Sequence, residues 1–388
     1  MDKVRCAVIG VGAMGSDHCR NINEDISEVE LTAVCDTNPD ALLPIAEKFS
    51  VPGFATHQEL LESGLVDMVI IATPHYFHPP IAIDAFKKGL HVISEKPIAV
   101  TVSDADAMIK AAKEADKIFG VMHQMRSSPR LRAVKKMIQD GLIGEINRTN
   151  MIFPSFRCQA YYNSQEWRAT WTGEGGGILI NQAPHALDLL TWWGGLPSRV
   201  TGFTRTRLHD IEVEDEAWAL LEYSNGAIGY LYASTTEEPY DLEIDICGDR
   251  GRVKDDNSGL KFLQCKESIS EFNKNAKGMW DGIGADPIPL DIPKDPEGTL
   301  EGHAGIIQNC ARAIKDKETP LFSPGEDGLA VVEMINAITL SSRRNKPVDV
   351  PVNRAEYDEL MDELKATSKH KTTVSVQRVT DPKYAPKS

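Results

Sequence analysis

Residues 4–15 read VRCAVIGVGAMG, a short apolar run followed by Gly10, Gly12 and Gly15 in the spacing G-x-G-x-x-G. In this spacing the first glycine permits a tight turn, the second lets backbone approach a pyrophosphate, and the third lets helix and strand pack closely. A helix that begins at such a turn offers free N–H groups and its positive dipole end to phosphates. Because the glycines follow a predicted strand and open a predicted helix, the motif indicates a dinucleotide-binding unit.

The first third of the chain alternates between strand and helix patterns. The segment VDMVIIATP is apolar on both faces, which is typical of an inner parallel strand covered by helices on each side. Repeated β-α-β units with short links predict a parallel, doubly wound sheet with right-handed crossovers. The sequence therefore predicts an α/β protein whose N-terminal part, residues 1–124, is a Rossmann domain.

The pattern changes after residue 124. The segment DEAWALLEYSNGAIGYLYAS contains two alternating strands around Asn225-Gly226, a strong signal for a β-hairpin. Further strand patterns surround it, and helical patterns return near the C-terminus. We therefore expect an α+β domain over residues 125–370 with an open, largely antiparallel sheet, C-terminal helices that pack back on the first domain, and an extended tail at 371–388.

Composition narrows the class of partner. The 388 residues carry a net charge of −15, which makes nucleic acid and anionic membrane surfaces poor partners. The seven cysteines are scattered without C-x-x-C pairs, as expected for reduced thiols, and we predict no metal site. The N-terminal residues lack the pattern of a signal peptide and no apolar run has the length of a membrane span, so we expect a cytoplasmic protein.

The second strand ends in Asp36, about twenty residues beyond the glycines, where an acidic side chain binds the ribose diol of a dinucleotide. A carboxylate there would repel a 2′-phosphate, so we expect NAD and regard NADP as the less favoured cofactor. The alternative is that Asp36 belongs to a turn, since DTNPD is also good turn chemistry. Ala13 and Met14, which begin the helix, complete the predicted phosphate-binding turn.

The segment HVISEKPIAVT places Glu95 and Lys96 at the carboxyl end of a parallel strand, where open α/β sheets build ligand crevices. Pro97 stiffens the backbone after Lys96. A lysine beside an oxidised, cationic nicotinamide has a lowered pKa and exchanges protons near neutral pH, and we expect Glu95 to steady it. The alternative is an exposed ion pair. Candidates for the wall of the cofactor site follow the third strand: Thr73, Pro74, His75 and His78.

Residues 175–190 read GGGILINQAPHALDLL, and we expect a strand-like stretch followed by a helix that begins at Pro184. His185 then lies in the first helical turn, where the dipole favours the neutral imidazole that a general base requires. Asp188, one turn further, is interpreted as the partner that fixes the ring tautomer. Asn181 supplies hydrogen bonds but no proton exchange. The alternative for His185 is a packed core histidine.

These motifs together resemble the Gfo/Idh/MocA oxidoreductases over nearly the whole chain: GVGAMG, SEKP, GLIGEI and EGGGILINQAPHALDLL. The resemblance implies a Rossmann domain for NAD(P), a second domain whose open sheet covers the active site, and subunit contacts on the other face of that sheet, hence a homodimer or homotetramer. It implies that Lys96 and His185 take a hydroxyl proton while hydride passes to nicotinamide C4. Many members carry an aspartate where this chain has Asn181, which puts a three-residue proton relay in doubt.

The resemblance also implies an additional set of ligand contacts. We expect the segment before the three glycines to contact a sugar or the nicotinamide ribose through Tyr162, Arg168 and Trp171, with Gln124 at the cofactor and Arg126 at the substrate. The alternative for this segment is a packed loop whose arginine extends to solvent. The predicted function is the NAD-dependent oxidation of a ring secondary alcohol of a sugar, glycoside or cyclitol. Two alternatives stay open, namely an NAD-dependent glycosidase that oxidises C3 transiently and a non-catalytic NAD(H) sensor.

Overall fold

The computed structural model describes residues 3–369, so the predicted tail at 371–388 lies outside the described residues. Six parallel strands form the first sheet: β1 (Val4–Ile9), β2 (Val29–Cys35), β3 (Gly53–Phe54), β4 (Met68–Ile71), β5 (His91–Ser94) and β6 (Phe119–Val121). Their order across the sheet is β3-β2-β1-β4-β5-β6. The doubly wound parallel sheet predicted from the sequence is confirmed.

Helices cover both faces of the first sheet. In chain order they are α1 (Ala13–Glu24), α2 (Pro39–Phe49), α3 (His57–Glu62), α4 (His78–Lys87), α5 (Val102–Ala115) and α6 (Pro129–Gln139), with short 3₁₀ turns at His75–Phe77 and Gln124–Ser127. All four residues of β4 are buried, as its apolar sequence predicts for an inner strand. The chain runs outward from β1 to β3 and then returns to β4 beside β1, so the topology reverses between these two strands.

A second sheet follows, with nine strands: β7 (Ile146–Pro154), β8 (Arg199–Arg205), β9 (Glu216–Glu222), β10 (Ile228–Ser234), β11 (Glu243–Gly248), β12 (Gly251–Asp255), β13 (Lys261–Cys265), β14 (Ala285–Pro287) and β15 (Val348–Asp349). Neighbouring strands are antiparallel except β7 and β10, which are parallel. The β9–β10 hairpin forms around Asn225-Gly226 as expected. Seven helices accompany the sheet: α7 (Gln159–Tyr162), α8 (Ile178–Asn181), α9 (Pro184–Gly194), α10 (Ile269–Asn275), α11 (Gly302–Lys315), α12 (Gly325–Arg344) and α13 (Arg354–Thr367).

The residues after the three glycines form the short helix α8 (Ile178–Asn181), and the expectation of a strand-like stretch was wrong. The Glu214 side chain accepts hydrogen bonds from the backbone N–H of Gly177 at 2.9 Å and of Leu179 at 3.1 Å, which caps the start of α8. A Cβ atom on Gly177 would lie 1.9 Å from the carbonyl oxygen of Glu214. The short helix therefore depends on a glycine and on an acid that is distant in the sequence.

The last long helices return to the first sheet. Ile306, Ile307 and Cys310 of α11 pack in one buried cluster with residues of β1 and β4, and α12 contacts α5 of the first part as well as β8 of the second sheet. The N-terminal layers are thus completed by residues from the far end of the chain. The exact limits of the two predicted domains stay a prediction. No helix within residues 3–369 has both the length and the apolar character needed to cross a membrane.

A buried cation joins the segment after β6 to the second part of the chain. Arg126 is 2% exposed, and it donates to the Asp188 carboxylate at 2.7 and 3.0 Å as well as pairing with Asp327 of α12. This geometry corrects two predictions. Arg126 is occupied by an internal ion pair rather than presented to a substrate, and Asp188 binds Arg126 rather than fixing the ring of His185.

One face of the second sheet exposes large apolar side chains. Phe203, Leu220, Ile228 and Tyr230 are between 42% and 62% exposed, and the strand register places them on the same side of β8, β9 and β10. Phe203 stacks on Trp218 of the neighbouring strand. A contiguous apolar patch of this kind on a folded protein marks an interaction surface.

We predict that Asp188→Asn destabilises the fold, because it leaves the buried Arg126 charge without its principal partner. The expected loss is about 3–5 kcal/mol of unfolding free energy, measured from urea unfolding curves. Asp349→Asn is the matched control, since Asp349 pairs with Arg199 at the surface and its loss should cost about 0–1 kcal/mol. Equal losses in the two variants would contradict the structural role of the buried pair.

Candidate active site

A cavity of about 320 Å³ lies between the carboxyl edge of the first sheet and the second sheet. It brings together four residues that the sequence predicted: Lys96, Gln124, Asn181 and His185. The remaining wall residues are Met125, Phe153, Ser155, Arg157, Tyr161, Gln182, Ala186, Tyr240 and Leu242. Its residues from the first part of the chain follow β5 and β6, at the carboxyl edge where open α/β sheets bind their ligands.

The glycine turn has the shape that a dinucleotide requires. Gly10 has φ +87°, and Gly15 lies so close to the turn that a Cβ atom would be 1.8 Å from the carbonyl oxygen of Gly10. Gly12 faces open space, with no atom within 4 Å of where its Cβ would be. Ala13 begins α1 without a side-chain cap, and Met14 beside it is 40% exposed. The first N–H groups of α1 are therefore available to a phosphate.

Asp36 stands one residue beyond β2 and is tied to the glycine turn. Its Oδ2 accepts from the backbone N–H of Val11 at 2.9 Å, and its Oδ1 accepts from that of Asn38 at 2.8 Å. Each carboxylate oxygen can accept a further hydrogen bond. The side chain is only partly buried, so a ribose hydroxyl placed at this strand end can reach it.

Several buried polar atoms at or near the cavity have no hydrogen-bond partner within residues 3–369. On the cofactor side they include Oγ1 of Thr73 and Oε1 of Gln124. Since buried polar groups are normally satisfied, each is a place where a bound ligand supplies the partner. Together with the open side of Gly12 and the uncapped start of α1, these atoms make the crevice fit an NAD molecule.

The two histidines that follow β4 form hydrogen bonds with carbonyl oxygens of the protein backbone. His78 places Nδ1 2.9 Å from the carbonyl oxygen of Pro97 and Nε2 2.7 Å from that of Thr73. His75 places Nδ1 2.9 Å from the carbonyl oxygen of Glu174, and its burial lowers its pKa to about 3. Pro74 precedes this 3₁₀ turn. Both rings hold the loop beside the Lys96 strand, and their predicted contact with a cofactor stays a prediction.

Glu95 and Lys96 have different partners, contrary to the expectation that Glu95 steadies the lysine side chain. Glu95 Oε1 lies 2.8 Å from Nε2 of His18, and Oε2 accepts from the backbone N–H of Lys96 at 3.1 Å. Burial raises the pKa of Glu95, but the hydrogen bond to His18 and the charges of His18 and Lys96 outweigh it and hold that pKa at about 2. Glu95 therefore fixes the backbone at Lys96 and places a negative charge near the lysine.

The ammonium of Lys96 is held by the segment before α9. Its Nζ donates to the backbone carbonyl of Asn181 at 2.9 Å, while the Asn181 side-chain amide donates to the buried carboxylate of Glu174. Burial lowers the pKa of Lys96, against the opposing charges of Glu95 and Glu174. Burial also raises the pKa of Glu174. The amide of Asn181 thus separates the lysine from an acid that sequence reasoning missed.

His185 lies in the first turn of α9, as the position of Pro184 predicts. Its surroundings lower its pKa well below the ordinary value, first through burial and then through the charge of Lys96. Its Nδ1 has no hydrogen-bond partner within the described part of the chain. Burial thus favours the neutral imidazole, the form that a proton acceptor requires, and the ring lines the same cavity as Lys96.

The structure places three predicted substrate contacts outside the cavity wall. Tyr162 is 2% exposed and its hydroxyl lies 2.7 Å from the Thr235 hydroxyl, while Trp171 is 4% exposed and donates from Nε1 to the carbonyl of Glu212. Arg168 lies behind the wall, over the Tyr161 ring at 4.2 Å, and pairs with Glu174. These side chains are engaged by other protein groups, and their predicted contact with a sugar stays a prediction.

The wall residues that the sequence analysis missed come mainly from β7, from the loop after it and from the loop before β11. They include Phe153, Ser155, Arg157, Tyr161 and Tyr240. Phe153, Ser155 and Arg157 alternate along one segment, and Tyr240 lies just before β11, which pairs with β7. Tyr161 is the neighbour of a residue that was predicted, and its ring lies edge-to-face with that of Tyr162 at 5.3 Å between ring centroids.

Two family models match consecutive parts of the chain. The model for the oxidoreductase family with an NAD-binding Rossmann fold, GFO_IDH_MocA, matches residues 4–123, and the GFO/IDH/MocA C-terminal domain matches residues 131–254. The chain belongs to the Gfo/Idh/MocA oxidoreductase family. It is accordingly an oxidoreductase that binds NAD, as the sequence predicted.

Three relatives illustrate the range of the family. A scyllo-inositol 2-dehydrogenase (NAD(+)) of Bacillus subtilis is 25% identical, with 91% of this chain and 98% of the relative covered. A 2,7-anhydro-N-acetylneuraminate hydratase of Escherichia coli is 30% identical, with 89% and 97% covered. The crystal structure of the WlbA dehydrogenase from Bordetella pertussis, in complex with NADH and UDP-GlcNAcA, is similar at a TM-score of 0.76 and 28% identity, with 91% and 100% covered.

We predict that Asp36→Ser weakens NAD binding relative to NADP, because it removes the carboxylate at the ribose end of the crevice. The ratio of the two Kd values, measured by titration with the reduced dinucleotides, should shift by about tenfold or more towards NADP, equivalent to about 1.4 kcal/mol. Asp40→Ser is the control, since it removes an exposed carboxylate of α2 from the same region. An unchanged ratio in Asp36→Ser would refute the ribose assignment.

Proposed function

We propose that the protein oxidises a ring secondary alcohol of a sugar, glycoside or cyclitol to a ketone, with Lys96 and His185 receiving the hydroxyl proton. The observation that carries the proposal is the meeting of Lys96, Asn181 and His185 in one cavity at the carboxyl edge of a dinucleotide-binding sheet. The inositol dehydrogenase and the WlbA dehydrogenase named among the relatives support this class of reaction.

The glycine turn, the start of α1 and Asp36 would hold NAD, with Thr73 and Gln124 offering their unpaired oxygens. When bound there, NAD supplies the hydride acceptor at C4 of its nicotinamide ring. The chain must then hold the substrate hydroxyl and remove its proton. Asn181 fixes Nζ of Lys96 through its backbone carbonyl, so the lysine keeps one orientation in the cavity.

Burial favours the neutral form of Lys96 and of His185, the two groups that would accept the proton. A neutral Lys96 amine accepts the hydroxyl proton at Nζ as the C–H bond gives up its hydride, and the products are the ketone, the reduced cofactor and one proton on the protein. Because burial lowers the pKa of Lys96 and of His185, both groups carry the neutral form that accepts a proton at lower pH than in water. His185 provides a second proton position beside the first.

In the second candidate function, the hydride taken from the substrate is returned before the product leaves. The hydratase named among the relatives adds or removes water, which involves no net oxidation of its substrate. A transient oxidation followed by elimination, as in an NAD-dependent glycosidase, would use the same proton acceptors and the same cofactor crevice. The two candidates differ in one measurable respect, because the dehydrogenase accumulates NADH in proportion to product and the second reaction does not.

We further propose that a second copy of the chain covers the apolar face of the second sheet, giving a homodimer or homotetramer. Leu220, Ile228 and Tyr230 are too exposed and too close together for a surface that meets only water. The patch lies on the sheet face turned away from α12, which packs against β8 on the other side. Association through this face leaves the cavity of each copy intact.

We predict that Lys96→Ala lowers kcat by a factor of about 10²–10⁴, the usual contribution of a proton-transfer group, while NADH binding persists. The comparison uses NADH formation in a panel of sugars, glycosides and inositols together with NADH titration of the same preparations. Lys88→Ala, at the exposed end of α4, is the control variant. A Lys96→Ala enzyme with turnover close to that of the wild type would remove Lys96 from the mechanism.

We predict that Leu220→Glu shifts the protein to a smaller assembly, because it places charge in the proposed contact. Light scattering during size-exclusion chromatography gives the molar mass. Leu43→Glu, on the first part of the chain, serves as control because Leu43 is 65% exposed, close to the 60% of Leu220. A monomeric wild type, or a Leu220→Glu variant of unchanged mass, would contradict the proposal.

A further inference from the structure

The cavity wall is cationic although the chain as a whole is acidic. The net charge is −15, yet the wall contains the basic side chains Lys96 and Arg157 and no aspartate or glutamate from residues 3–369. Asn181 contributes an amide, and the nearest acid behind it, Glu174, is 1% exposed and faces the amide of Asn181 rather than the cavity. An anion that enters the cavity therefore meets attraction from its wall.

Arg157 is the permanent charge in this wall. Arginine side chains keep their charge in proteins, whereas the pKa of Lys96 is lowered by burial and by other cations, Arg157 among them. Within residues 3–369 Arg157 makes no ion pair: its Nη1 donates to the backbone carbonyl of Phe156 at 2.7 Å and, more weakly, to that of Ser155 at 3.4 Å. Its Nε and Nη2 donors have no partner in the described chain.

The position of Arg157 is fixed although its charge is unpaired. Its backbone N–H donates to the Thr235 carbonyl at 3.0 Å, and its own carbonyl lies 2.7 Å from Nε2 of the buried His209. The guanidinium packs over the ring of Tyr161, 5.4 Å from its centroid. A fixed guanidinium with two adjacent free donors matches a carboxylate, which accepts two parallel N–H bonds.

We infer that Arg157 is a specificity-determining residue and that the substrate is a sugar acid whose carboxylate binds its guanidinium. The inference rests on the proposed function for the oxidation of the sugar ring, and it adds the charged class of that substrate. The cavity volume of about 320 Å³ is at the small end for ligand sites, which favours a single carboxylated ring over a larger conjugate. Tyr161, Tyr240 and Phe153 offer apolar surface to its C–H faces.

The test compares acids with their uncharged amides on the NADH-loaded protein. Calorimetric titration with D-glucuronate, D-galacturonate and D-mannuronate, each beside its carboxamide, gives the preference for charge, and D-glucose 6-phosphate distinguishes a carboxylate site from a general anion site. We expect at least one acid to bind about tenfold more tightly than its amide. The preference should fall to less than about twofold in Arg157→Gln and partly return in Arg157→Lys. The control is Arg199→Gln, which alters an exposed arginine of β8 and should keep the full preference.

Each outcome decides the inference. A panel without acid-over-amide preference, a preference that survives in Arg157→Gln, or tight binding of the phosphate alone overturns it. Assays of NADH formation with the same probes separate it from the proposed function. Oxidation of neutral sugars without a preference for acids rejects the carboxylate site and keeps the dehydrogenase, whereas acid-selective binding through Arg157 without NADH formation keeps the site and rejects the dehydrogenase.

Discussion

The reversal of strand order between β1 and β4 determines where the residues that would bind the cofactor and the substrate can meet. Chain segments that leave these adjacent strands turn to opposite sides, so a crevice opens at the carboxyl edge that no local segment fills. The glycine turn leaves β1 at this edge, Thr73 leaves β4, and Lys96 leaves β5. The second part of the chain then closes the crevice from outside and supplies Asn181 at the end of α8 and His185 in the first turn of α9. The side chains predicted to contact the cofactor and those predicted to contact the substrate meet because of the strand topology. Each strand contributes one short turn.

The parts of this site that could be predicted from the sequence are those whose chemistry lies in a continuous segment. The glycine turn, Asp36 after its strand, Lys96 before its proline and His185 after Pro184 each have a local signature. The partners of these residues do not. Asp188 binds Arg126, 62 residues away, instead of the ring one helical turn before it. The helix after the three glycines, α8, is capped by Glu214, and Arg157, from the loop after β7, lines the same cavity as Lys96, which follows β5 of the first sheet. Such contacts depend on register and packing, which a local pattern does not contain.

The charge balance of the site depends on the buried acids that lie behind the cavity wall. Glu95 and Glu174 are both buried and both directed at protein groups, one at His18 and a backbone N–H, the other at Asn181 and Arg168. They compensate the cations of the site from the rear, while no carboxylate of residues 3–369 lines its open side. Burial lowers the pKa of Lys96, and the charges of these acids oppose that shift. An acid on the open side would add to the opposing charge and repel an anionic substrate.

The packing of α11 on the first sheet has a consequence for how the chain is made. Ile306, Ile307 and Cys310 belong to the same buried cluster as the strands at the N-terminus, and Arg312 reaches Glu28 just before β2. During synthesis on the ribosome, the first six strands emerge long before the helix that covers them. One apolar face of the nascent sheet stays open to solvent, or to a chaperone, until more than three hundred residues have been translated. The nucleotide-binding half is therefore the first to be synthesised and among the last to be completed.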